Sequence, residues 1–174
     1  MDKVQKAVLA SIKPIWCEKI AIRRKTDEIR KNAPNLQTPF KCYIYQTQAM
    51  WGFPILRALR LFDLVEKFEM GKGKVIGEFV CDKIEQVDVN NIERLVMTSL
   101  ISTDEMWKYA RPKSMFDLKA WHISDLKIYD KPKPLSEFRS FNCSVYWEDG
   151  YPMPTHEMKR APQSWCYVEE LKDG

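Results

Sequence analysis

Apolar and polar positions along this chain follow two different periods. Ala7-Val8-Leu9-Ala10-Ser11-Ile12 is a short and almost wholly apolar run, the mark of a strand covered on both faces. Pro14 comes next, where the first turn of a helix tolerates it because no backbone donor is needed there. Trp16, Cys17 and Ile20 then recur at three- and four-residue spacing, as on one face of a helix. The stretch from Arg23 to Lys31 reads as extended, which puts Thr26, Glu28 and Arg30 on one side of it. The pattern therefore predicts strand, helix, strand, with Lys13 at the first junction and Lys25 at the second.

Further strands are expected over residues 41–45, 74–81, 120–129 and 165–169, the third of them ended by Pro132 and Pro134. Residues 46–73 read as a helical insertion. Pro54 opens a helix there whose apolar stripe is Leu61, Leu64, Val65 and Phe68. Trp51 and Phe53, just ahead of it, are unusually apolar for a loop and suit either a cap on the core or a surface for a protein partner. Ser102 and Glu105 form a capping-box pattern that predicts a short helix with Met106, Trp107 and Tyr109. Residues 87–100 fit no single period. Residues 141–147 read as a strand or an excursion, 148–150 as a turn, and 150–163 as a proline-rich loop. About six strands with short helices between them place the chain in the α+β class. The expectation is one domain over residues 1–174, built as a small mixed barrel rather than a doubly wound parallel sheet.

The net charge of +4 is mild, but its distribution changes the picture. Residues 1–31 hold +5, which leaves −1 for everything after them. Positive potential gathered around the opening strand and helix either steers an anion or a phosphate backbone, or forms a solvated face. The five cysteines are widely spaced and there are only two histidines, so no metal and no cofactor is expected. Reduced thiols of this kind suit the cytoplasm. No run approaches the ~20 apolar residues of a membrane span, and the run ending at Ile12 is too short for a signal peptide.

The candidate chemistry sits in the second strand. Lys25 reads as a phosphate contact, or as a base if burial lowers its pKa. Glu28 suits a base amino group, general-base work or an internal ion pair. Arg30 suits phosphate or a clamp on Glu28. Lys13 could complete an anion pocket beside the start of the helix. His122, next to Trp121, reads as a satisfied core histidine, and His156 lies in the proline-rich loop without an evident partner.

Taken in order, Leu9-Ala10-Ser11-Ile12-Lys13-Pro14, Lys25-Thr26-x-Glu28-x-Arg30, Tyr43-Ile44-Tyr45, Gly73 to Phe79, Trp121-His122-Ile123 with Tyr129 to Pro132, and Ala161 to Cys166 resemble the ASCH domain, a member of the PUA-like superfamily of small β-barrels. The resemblance implies a pseudo-barrel whose cleft beside the first helix engages RNA or a nucleobase. Lys25, Thr26, Glu28 and Arg30 would line that cleft, with Lys13 nearby. Gln163 and Trp165, at the entry to the last strand, would supply hydrogen bonding and stacking to a base. The alternative it implies is a hydrolase acting on RNA or on modified nucleosides such as acetylated cytidine, with Lys25 and Glu28 catalytic. In such enzymes a threonine stands three residues after the lysine, where this chain has Glu28, and their glutamate would be Glu78. The insertion over 46–73 is longer and more apolar than the family leads one to expect.

Overall fold

A computed structural model describes residues 5–141 and 155–172; the strand and turn expected over 142–150 fall outside them. The chain opens in the predicted order, β1 (Lys6–Ile12), α1 (Pro14–Ala21) and β2 (Asp27–Arg30), but the extended stretch is shorter than the expected 23–31, because the chain turns at residues 22–24 with Arg23 at φ 58°. β3 (Phe40–Gln46) follows, then two helices, α2 (Pro54–Ala58) and α3 (Phe62–Met70). β4 (Lys74–Gln86), α4 (Ile92–Ser99) and α5 (Thr103–Ala110) come next, and then the long β5 (Lys119–Lys133). The chain closes with β6 (Arg139–Phe141), β7 (Thr155–Glu157) and β8 (Trp165–Glu169).

The strands form one open eight-stranded sheet in the order β2-β5-β4-β3-β1-β8-β6-β7, with β2 and β7 at its edges. This corrects the six-stranded barrel expected from the pattern. The α+β class holds, but two extra strands come from segments with no apolar signal. β7 lies inside the expected proline-rich loop and is an edge strand of three residues, so little of it needs to be apolar. β1 and β3 run parallel, and every other pairing is antiparallel. β5 runs through Pro132 rather than stopping at it, with Lys133 still opposite Val75. β4 and β5 approach closely at Gly77, where a Cβ would stand 2.4 Å from the Lys127 carbonyl.

The insertion is two helices rather than one. Arg60, with φ of 55°, turns the chain between them. Trp51 and Phe53 do not form an outer surface. Phe53 is fully buried and meets Phe68 edge-on at 5.7 Å, while the Trp51 indole donates to Glu18 Oε2 at 2.8 Å. Glu18 is itself fully buried, and its other oxygen accepts from the Leu56 amide at 2.8 Å. One buried carboxylate thus fastens the insertion to α1. The exposed apolar side chains here are Met50, Leu59, Leu61, Phe62 and Met70.

Ser102 and Glu105 close the predicted capping box at the start of α5. The ambiguous stretch before it contains α4, with Leu95 buried and Met97 exposed. Cys17, Cys42 and Cys81 are buried free thiols; burial pushes the first two well up and Cys81 to about 12, which keeps them unreactive. Among the described residues no helix is long and apolar enough to cross a membrane.

Candidate functional site

A cleft of about 640 Å³ opens beside α1. Its floor is β2 and the end of β1, where Ser11, Glu28 and Arg30 face it. Trp16 from α1 and Tyr109 from α5 stand at its sides. Lys13, Lys31, Asn32 and Gln163 are exposed at its mouth. The local sequence explains the floor. β2 is an edge strand whose alternation turns Glu28 and Arg30 the same way, and its partner β5 sets Glu28 opposite Trp121.

Glu28 is 7% exposed and stands between two cations. Its Oε2 lies 3.2 Å from Lys25 Nζ and its Oε1 lies 3.0 Å from Arg30 Nη2. A carboxylate offers about four lone-pair sites, so these two pairings leave acceptor capacity toward the cleft. Arg30, 5% exposed, is held as firmly. Nη2 donates to the Ser11 carbonyl at 2.9 Å, and Nη1 donates to Ser164 O and Oγ at 3.1 and 3.2 Å. The guanidinium therefore ties β2 to the strand that precedes α1 and to the entry of β8.

Lys25 is different. It is 1% exposed and is not among the residues that line the cleft. Its ammonium donates to the Asp27 and Ser99 carbonyls at 2.9 Å each, and Glu28 takes its third direction. Ser99 is the last residue of α4, so the lysine caps a helix C-terminus, where unpaired carbonyls and the helix dipole favour a cation. Trp16 covers it from the other side, its ring centroid 5.0 Å from Nζ. Burial pushes the Lys25 pKa below its ordinary value of 10.5, with Glu28 pulling the other way.

The remaining expectations divide. Lys13 and Gln163 do line the cleft. Thr26 does not; its backbone links Thr98 of α4 to Ile123 of β5. Trp165 does not either, and packs edge-on against Trp121 at 5.8 Å and Tyr167 at 5.3 Å. Glu78 is far along β4, bonded to the Tyr129 hydroxyl and 3.6 Å from Lys41. His122 is half-exposed and pairs with Asp82 at 2.6 Å, and that hydrogen bond holds the Asp82 carboxyl below its ordinary value. His156 does have a partner, Ser140, at 2.9 Å. Sequence reasoning missed Ser11, Trp16, Lys31, Tyr109 and Ser164 as cleft residues. Trp16 was legible only as one of a set of apolar positions on a helix, and Tyr109 reaches the cleft through the docking of α5. Among the described residues no group of side chains could hold a metal ion.

No family model matches the chain, and no curated protein matches it. Its structure is similar to the crystal structure of ASCH from Zymomonas mobilis, with a TM-score of 0.50 at 19% identity, over 94% of this chain and 88% of that one. It is equally similar to a serine-to-alanine mutant of that protein, with a TM-score of 0.50 at 18% identity, over 94% and 89%. The chain has the fold of an ASCH domain.

Proposed function

We propose that this cleft binds the base of a single-stranded RNA or of a free nucleotide. The observation that carries the reading is Glu28, a carboxyl group fixed by Lys25 and Arg30 on the floor of a hollow of ligand size. A base amino group donates to such a carboxylate. Trp16 and Tyr109 border the hollow with aromatic surface suited to a flat base, Trp16 carrying Lys19 and Lys25 over its ring and Tyr109 carrying Lys31 over its own. Lys13 and Lys31 at the mouth suit the phosphates that flank the base. Lys25 serves the ligand at one remove, by holding Glu28 in place. A binding protein for RNA, made as one domain with buried reduced thiols, suits the cytoplasm.

The test is titration of the full chain with short single-stranded RNA across a range of salt. Saturable binding that weakens steeply with salt and is lost in Glu28→Gln is expected. Binding unaffected by Glu28→Gln overturns the reading. The same preparations incubated with acetylated cytidine and with mixed RNA test for hydrolysis; products that depend on Glu28 would replace simple binding with catalysis at this site. Lys25 is poorly placed for a nucleophile, because its three donors are already committed.

A further inference from the structure

A second hollow, of about 270 Å³, lies across a ridge from the cleft. The ridge is residues 160–164. Gln163 and Ser164 line the cleft, while Arg160 and Pro162 line the hollow. Ser11 fastens the ridge to β1, its amide donating to the Ser164 carbonyl at 2.9 Å and its hydroxyl to the Pro162 carbonyl at 2.6 Å. On the far side of the hollow the pairing of β6 with β7 sets Ser140 opposite His156. Ser140 Oγ and His156 Nε2 are 2.9 Å apart and share a hydrogen bond.

That pair always retains a donor. If the serine hydroxyl donates to Nε2, the imidazole keeps its Nδ1–H. If Nε2–H donates to the serine, the hydroxyl hydrogen is left to turn outward. Arg160 adds an exposed guanidinium, and among the described residues no carboxylate lines the hollow. The cleft has the opposite design, with an anion at its floor. A cation beside a neutral donor, with no acid to compete, is the chemistry that takes a phosphate oxygen.

We infer that this hollow is a phosphate subsite for the nucleotide next to the one whose base occupies the cleft, with Arg160 supplying charge and Ser140 with His156 supplying the neutral donor. The inference rests on the base-binding reading of the cleft and adds a direction to it, because the strand then crosses the ridge at 160–164.

The test compares nucleosides with single-stranded RNA trinucleotides of the same base, titrated against the full chain at several salt concentrations. Trinucleotides bind more tightly than nucleosides, through the mouth lysines Lys13 and Lys31 and, by about a further tenfold, through the one charge-assisted contact at Arg160. Arg160→Ala removes that last tenfold and flattens the logarithmic salt slope by about 0.7. Arg160→Lys keeps most of the gain, and Ser140→Ala loses part of it. Nucleoside affinity stays unchanged in all three variants, which also shows them to be folded. A gain undiminished in Arg160→Ala overturns the inference and leaves the cleft reading standing. No binding of nucleoside or trinucleotide to the unaltered chain overturns both.

Discussion

Lys13 and Lys25 sit a dozen residues apart, at the two ends of α1, and the fold treats them oppositely. Lys13 precedes Pro14, makes no side-chain cap, and lies exposed at the mouth of the cleft. Lys25 is enclosed, with two carbonyls, one carboxylate and an indole ring around its ammonium. The same functional group therefore does two jobs. A buried ammonium with every donor spent is architecture: it fixes the end of α4 against β2 and sets the position of Glu28. An exposed one keeps its donors for whatever enters the cleft. The difference teaches that the positive charge gathered in residues 1–31 is not a single patch. Part of it faces solvent, and part is consumed in holding one carboxylate at the floor.

The most severe way to break the comparison is to remove each ammonium in turn. Lys25→Met strips a donor from two carbonyls and from Glu28, and costs about 3 kcal/mol of stability, as loss of one partner from a buried ion pair does. Lys13→Met leaves stability unchanged. Urea unfolding of the two variants measures this, and equal midpoints would dissolve the distinction. Glu28→Gln comes next. It removes the charge that both Lys25 and Arg30 face, costs about 1–3 kcal/mol, and abolishes RNA binding, so it moves both unfolding and titration curves.

Lys13→Ala acts on the ligand alone. If Lys13 contacts a phosphate, binding at low salt weakens and the logarithmic salt slope flattens by about 0.7, while the unfolding midpoint holds. A variant that loses midpoint as well would make Lys13 structural too. The smallest effect concerns pH. Burial lowers the Lys25 pKa from 10.5. Between that lowered value and 10.5 the unfolded chain binds more protons than the folded one, so stability rises with pH across the window. Lys25→Met removes that rise, which shows as the difference between the two chains' unfolding midpoints followed from neutral pH to 10.5.

Much of the fold was legible because it depends on near neighbours in the chain. The apolar run of β1, the proline that opens α1 and the capping box of α5 are local features that form where their patterns lie, while the alternation of β2 holds only over Asp27–Arg30, after the turn at 22–24. The ordered segments of the family resemblance led to the fold that the Zymomonas mobilis structures share. β7 and the break between α2 and α3 were not legible. An edge strand of three residues needs no apolar face, and a turn at Arg60 uses a backbone conformation that an arginine does not advertise.

The candidate site was half legible for the same reason. Glu28 and Arg30 share a face of one strand, which alternation alone dictates, and Lys13 is placed by the proline after it. Whether Lys25 meets a ligand or the end of a helix was decided by Ser99, 74 positions away, and no local pattern records that contact. The walls of the cleft come from α1, α5 and the ridge before β8, which meet only when the sheet is assembled. Side-chain type and spacing determined which groups this protein has to work with. Burial and long-range packing decided which of them are already committed to one another and which still face water, because desolvation and pairing depend on neighbours that the chain brings together only by folding.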